Sequence, residues 1–254
     1  MKNNKKSPLK DRPLHVAGQS TDNLIQNYVI DLASLFSLTL VLIFLTFLAW
    51  TTKFFLSEYF PIIILITTIA ITIYFIYKFS KTIKIIKSLK LGRDGERIVA
   101  EILDELRSQG FTVFHDIVAN NFNIDHTIIT PHGIFTIETK TFSKSSEGRI
   151  FCKNDNIIAG NKNLGNKIIS QAESESKWLK SMLKESTGKD FYVMPVIVFP
   201  GWFVQPMPGD LKKRIWILNP KALKSFINNE PKRIDESDLY IAAYHISRYI
   251  RMYN

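Results

Sequence analysis

Twenty-one consecutive residues without a charge, Leu32 to Thr52, constrain this chain more than any other feature. At about 1.5 Å of rise per residue, a helix of about 20 residues crosses the roughly 30 Å hydrocarbon core of a bilayer. Twelve of these residues are Leu, Ile, Phe or Val, and at roughly −0.5 kcal/mol each they contribute about −6 kcal/mol toward insertion. A second apolar run, Phe60 to Phe79, has Pro61 at its start and Tyr74, Tyr77 and Lys78 at its far end, the arrangement of an interfacial belt. The link from Thr52 to Tyr59 is too short for a folded domain, so the two runs predict a transmembrane hairpin with both ends on one side. A cleaved signal peptide fits less well, because the first run starts late, is too long for a signal core and lacks a small-residue cleavage site.

Charge sets the orientation. Lys2, Lys5, Lys6, Lys10 and Arg12 precede the first run, and Lys78, Lys81, Lys84, Lys87, Lys90 and Arg93 follow the second. Positive flanks stay in the cytoplasm, which predicts a multi-pass protein of the cell membrane with its N-terminus and C-terminal part cytoplasmic. The lysines from Lys81 to Lys90 recur every third residue among Ile83, Ile85, Ile86 and Leu89. They read either as a basic amphipathic helix lying on the inner leaflet or as a solvated stop-transfer linker. The expected organisation is a basic segment over 1–30, the hairpin over 31–79, a juxtamembrane linker over 80–91 and a folded domain over 92–254.

The net charge of +10 favours polyanionic partners, either nucleic acid or an anionic lipid surface; no feature points to a particular protein partner. The single cysteine, Cys152, excludes an internal disulfide and a multi-cysteine zinc site. It reads as a small packing residue.

After Gly92 the pattern becomes that of a mixed α/β domain. Gly95-Glu96 opens an expected helix with Ile98, Val99, Ile102, Leu103 and Leu106 on one face, stopped at Gly110. Strands are predicted over Thr112–Val118, Asn123–Thr130 and Ile134–Lys140, the last two joined by a Pro131-His132-Gly133 turn. A further hairpin over Arg149–Ile158 turns at Asn154-Asp155-Asn156. Then come a helix over Asn166–Lys184, a buried strand over Tyr192–Phe199, a short strand at Ile215–Leu218, and helices over Pro220–Asn228 and Asp235–Tyr253.

Side chains alternate along a strand, so Glu138 and Lys140 share a face of one predicted strand while Asp125 lies on its neighbour. Phosphodiester hydrolysis needs a divalent cation to neutralise charge and to lower the pKa of an attacking water, and hard carboxylate ligands such as Asp125 and Glu138 suit Mg2+ or Mn2+. Lys140 could then orient that water or stabilise developing negative charge. The bland alternative, an exposed ion pair on an edge strand, sits badly with the apolar Ile134, Phe135 and Ile137 around it.

Three blocks occur in order: Gly92-x-x-Gly95-Glu96, Asn123-Ile124-Asp125-His126, and Gly133-Ile134-Phe135-x-Ile137-Glu138-x-Lys140. With them the chain resembles the nuclease-related domain (NERD), a branch of the PD-(D/E)xK nuclease superfamily, from about Gly92 to about Phe199. The resemblance implies a restriction-endonuclease-like mixed sheet flanked by helices, with Asp125, Glu138 and Lys140 as the catalytic set. It implies Glu96 as an additional metal-site carboxylate and Gln171 as the glutamine that many such nucleases keep near the site. An apolar Ile124 stands where the superfamily name has proline, as is usual in this branch.

The other residues read more plainly. His126 should face away from Asp125 as a packed, hydrogen-bonded histidine, and His115 and His132 carry no signal beyond strand and turn. Gly92 and Gly95 lack the following Gly-Lys-Ser/Thr of a nucleotide loop and are expected to allow a tight start to the helix. Lys144, Arg149, Lys153, Lys162 and Lys167 could track a nucleic-acid backbone, whereas Trp178 and Trp202 read as core residues before stacking groups. The functional expectation is a membrane-anchored Mg2+-dependent phosphodiesterase acting on DNA or RNA. The alternatives are a non-catalytic tethered module that binds nucleic acid or protein, and a scaffold that works through the helical hairpin.

Overall fold

The computed structural model describes residues 14–52, 59–119, 121–143, 148–153, 155–207 and 209–253. The basic N-terminal residues through Arg12, the link with Lys53 and Glu58, and the positions Lys144 and Asn154 lie outside them. The chain divides into two compact units, Ser20–Leu91 and Met1–Gln19 with Gly92–Asn254.

Two helices, α1 (Gln19–Thr51) and α2 (Phe60–Arg107), are long and apolar enough to cross a membrane. Within the first unit they pair antiparallel, Phe36 meeting Phe75 at 5.8 Å between ring centroids and Thr46 Oγ sharing a 2.8 Å hydrogen bond with Thr68 Oγ. The least exposed positions of α1, Ile25, Tyr28, Leu32, Leu35, Thr39, Leu42, Thr46 and Ala49, alternate three and four apart, and so do Thr68, Ile71, Phe75, Lys78 and Thr82 on α2. That spacing is the seam of a left-handed coiled coil. Small hydroxylated residues in the seam let the helices approach while their hydroxyls bond the carbonyl four residues back, as Thr39 does to Leu35 and Thr68 to Ile64. The outer faces carry exposed Phe44, Phe47, Trp50, Ile62, Ile66 and Ile73, the kind of apolar surface that marks a membrane or protein interaction site.

One expectation is corrected here. Helix α2 does not end at Phe79 and reopen at Gly95, because helical geometry runs from Phe60 to Arg107 without a break. Nothing between Phe79 and Arg107 is a helix breaker except Gly92 and Gly95, each costing only about 1 kcal/mol relative to alanine. Residues 80–91 are therefore helical, and lysines three apart on a helix of 3.6 residues per turn drift by about 60° at each step. Lys81 to Lys90 fan over about half the circumference and form no single basic stripe.

In the second unit the expected mixed sheet flanked by helices is present. Strands β1 (Thr112–Val118), β2 (Asn123–Thr130) and β3 (Gly133–Thr139) run antiparallel, and β3 then pairs parallel with β7 (Val193–Val198), which pairs parallel with β9 (Trp216–Leu218). A second sheet, in the order β6-β5-β4-β8, is built from β4 (Arg149–Lys153), β5 (Asn156–Ala159), β6 (Lys162–Gly165) and β8 (Phe203–Val204). One face of the first sheet packs Phe135 and Trp216 against Val99 and Leu103 of α2 and against α5 (Leu223–Asn228). The other packs Ile124 and Ile134 against α3 (Lys167–Thr187) and α6 (Glu236–Tyr253). Strands β6 and β8 and the short helix α4 (Gly209–Lys212) carry too few residues for a periodic signal. Trp202 is buried, and Trp178 is half-buried between Phe122 and Tyr249, so both tryptophans are packing residues.

Gly95 is a close-packing position within α2. A Cβ built there would stand 1.8 Å from Oγ1 of Thr141, the residue after Lys140, and a clash of that depth forces the backbone to move. Gly95→Ala is expected to destabilise the second unit by about 1–3 kcal/mol, read as a lowered Tm by circular dichroism of the detergent-solubilised chain. Thr141→Gly in the same chain should recover most of the loss. An unchanged Tm for Gly95→Ala would disprove the contact.

Candidate functional site

The first sheet opens where its strands diverge. The β2–β3 ladder runs from Thr130↔Gly133 to His126↔Ile137 and stops, and the β1–β2 ladder skips the position between His115↔His126 and Ile117↔Ile124. Asp125 sits at both interruptions. Its Oδ2 accepts the backbone N–H of Thr139 at 2.7 Å, so the side chain takes the place of the missing strand partner. Across from it Asp116 adopts a left-handed φ of 50°, with its carboxylate accepting Asn123 Nδ2 at 3.2 Å. Such a backbone in a non-glycine residue costs energy and is retained where surrounding structure enforces it.

Glu138 and Lys140 reach the same side because they are two apart on β3 and its extension, where Lys140 N–H donates to Val198 O at 2.9 Å. Gly133 makes the preceding turn possible, since a Cβ there would lie 2.7 Å from the Tyr192 ring. Glu138 is buried. Its Oε1 accepts from the Lys140 ammonium and, at 2.9 Å, from Gln171 Nε2. Gln171 Oε1 accepts from Lys140 Nζ at 3.2 Å, and Gln171 Nε2 also donates to Glu175 Oε1 at 2.9 Å.

Electrostatics follow from that crowding. Burial, then the charges of Glu138 and Glu96, push the Asp125 carboxyl well above its usual range, against the opposing pull of the Thr139 N–H and Lys140. Burial by itself would lower the Lys140 amine, but Glu138, Asp125 and Glu175 outweigh it and hold the amine above its ordinary value. Lys140 is therefore an ammonium at neutral pH. Burial and then Glu138 lift Glu175 to about 8, and its carboxyl lies close enough to that of Glu138 to share a hydrogen bond once one of them is protonated. Oε2 of each has no hydrogen-bond donor among the described residues.

The structure thus brings Asp125, Glu138, Lys140 and Gln171 together, with Glu96 near enough for its charge to act on Asp125. Glu175 is the residue that sequence reading missed. The signal was present: Glu175 lies on the inward stripe of α3 with Ile169, Ala172, Leu179 and Leu183, where a carboxylate is costly without a partner. His126 faces away from Asp125 as expected, fully buried, with its Nδ1 2.8 Å from Nδ1 of His115. Burial, and secondarily Arg107, holds His115 at about 4, and burial followed by His115 keeps His126 well below the normal range. The pair is neutral and structural.

A divalent cation fits the donor set in part. The donorless Glu138 Oε2 and the raised Asp125 carboxyl mark excess negative charge that a hard cation would neutralise. No three His, Cys, Asp or Glu side chains among the described residues form a metal cage. Magnesium commonly keeps several waters and takes one or two carboxylates plus substrate phosphate oxygens, so a two-carboxylate set suits it.

Compared with known proteins, residues 91–200 match the family model of the nuclease-related domain, covering the site from Glu96 through Glu175. No curated protein and no solved structure matches the chain.

Proposed function

We propose, from the match of residues 91–200 to the family model of the nuclease-related domain, that this protein is a membrane-anchored phosphodiesterase of DNA or RNA dependent on Mg2+ or Mn2+. The observation that carries the reading is the convergence of Asp125, Glu138 and Lys140 where the ladders of the inner strands β2 and β3 are interrupted, inside the matched region. Asp125 and Glu138 would hold the cation, with Glu96 the nearest further carboxylate. When bound, the cation supplies charge neutralisation and a water of lowered pKa. Lys140, kept charged by its carboxylate neighbours, is suited to stabilise negative charge developing on a phosphate oxygen and unsuited to act as a general base. Gln171 ties Lys140 to Glu138 through both ends of its amide.

The helices α1 and α2 anchor the protein by crossing the bilayer, with the lysines from Lys78 to Lys90 holding that flank in the cytoplasm. Arg149 and Lys153 on β4, Lys162 on β6 and Lys167 on α3 are exposed and suited to grip a phosphate backbone. Converting Arg149 and Lys153 together to alanine should reduce the slope of log affinity against log salt by about two for duplex DNA. Fluorescence anisotropy of a labelled duplex between 50 and 200 mM salt, roughly the range where such slopes are readable, measures this. An unchanged slope would remove these residues from the interface.

The test of the whole reading is calorimetric titration of Mg2+ or Mn2+ into the detergent-solubilised chain beside Asp125→Ala, with nuclease assays on the same samples. Saturable binding and cleavage lost together in the variant support it. A folded wild-type chain that binds neither ion overturns it in favour of a tethered, non-catalytic binding module.

A further inference from the structure

We infer that Glu175 is a positioning residue, whose carboxyl holds the Gln171 amide in the one orientation that lets its oxygen accept from Lys140. Its catalytic consequence rests on the nuclease reading above; its geometry does not. Gln171 and Glu175 stand four apart on α3, one above the other on the same face. Gln171 Nε2 donates to Glu138 Oε1 and to Glu175 Oε1, both at 2.9 Å, while Gln171 Oε1 accepts from Lys140 Nζ at 3.2 Å. Rotating the amide by half a turn would set its oxygen against the Glu138 carboxylate and its NH2 against an ammonium, and would take from Glu175 Oε1 the N–H it accepts.

Glu175 is the part of this arrangement that does not itself reach Lys140 by a hydrogen bond. Lys140 hangs on a flexible four-carbon stem with three rotatable donors. Glu138 by itself draws the ammonium to one oxygen, and Gln171 supplies a second fixed acceptor only while its amide is locked. Glu175, which is 1% exposed on the inward stripe of α3, completes that lock by giving Nε2 a second acceptor beside Glu138 Oε1. A buried carboxyl there is expensive unless it meets a donor, and the donor it meets is the Gln171 amide.

The full chain in detergent micelles tests this with Glu175→Gln, which keeps an acceptor, and Glu175→Leu, which removes it at similar volume, each also combined with Gln171→Ala. With Mg2+ and a labelled oligonucleotide, Glu175→Leu should lose about tenfold or more in kcat with KM within about twofold, whereas Glu175→Gln stays within about threefold of wild type. In the Gln171→Ala chain Glu175→Leu should cost nothing further, the non-additivity of residues acting through one another. Equal losses for the Leu and Gln variants, or a Leu loss undiminished without Gln171, would overturn the inference. The side-chain NH2 signals of Gln171 by 15N NMR give a readout free of activity: slow exchange in wild type and Glu175→Gln, fast in Glu175→Leu. Should the wild type cleave no oligonucleotide with either ion, the nuclease reading fails, and these spectra still decide the role of Glu175, identical exchange in all three chains counting against it.

Discussion

Glu138→Ala should reduce metal-dependent cleavage about a thousandfold or more while leaving the chain folded. Three functions disappear with that carboxylate. One of the two proposed cation ligands is lost, the anchor of the Lys140 ammonium is lost, and so is one of the two acceptors that hold Gln171 Nε2. The fold should survive because the charge removed is one the site tolerates poorly: Glu138 is a principal cause, after burial, of the raised Asp125 and Glu175 carboxyls. Both should fall toward ordinary values in the variant. Single-turnover cleavage with calorimetric Mg2+ titration checks the claim. Retained cleavage at a tenth of the wild-type rate or better would sink the assignment of Glu138, and salt-sensitive nucleic-acid binding that never led to cleavage in either chain would favour the binding module.

The second large effect is on stability against pH without metal. Glu175 rises from 4.5 to about 8 in the folded chain. A carboxyl whose folded pKa is raised binds its proton more tightly folded than unfolded, so its contribution is fully present below pH 4.5 and is lost as pH climbs through about 8. The span amounts to at most about 5 kcal/mol at 1.36 kcal/mol per unit. Glu175→Gln does not titrate. In chelator its Tm should therefore gain steadily on wild type as pH rises from 5 to about 8 and level off above it. His115, held at about 4, acts with the opposite sign, its contribution being lost as pH falls from 6.5 toward 4. That contribution is common to both chains and cancels in the comparison. A constant Tm gap across the range would mean that Glu175 is ionised throughout.

A site that gives up alkaline stability to keep a protonated carboxyl beside Glu138 is a common compromise where function and stability compete. A bound cation would relieve it, since added positive charge lowers the cost of every carboxylate near it.

Hydropathy and alternation are local, and what they govern was legible in the sequence. The two apolar runs appear as helices of membrane-crossing length, β1 and β2 occupy the predicted residues, and the Pro131-His132-Gly133 turn joins β2 to β3. Glu138 and Lys140 share a face because the strand period is two, whatever surrounds the strand. Four features were decided by tertiary structure. The interrupted ladders that free Asp125 to cap Thr139 depend on register between strands. The meeting of His115 with His126 depends on that same register, and the burial of Gly95 against Thr141 depends on which surfaces pack. The approach of Glu175 to Glu138 joins a helix and a strand far apart in the chain. Periodicity tells which way a side chain points relative to its own element; what it meets there is set by the summed burial of the whole core, and no single segment encodes that sum.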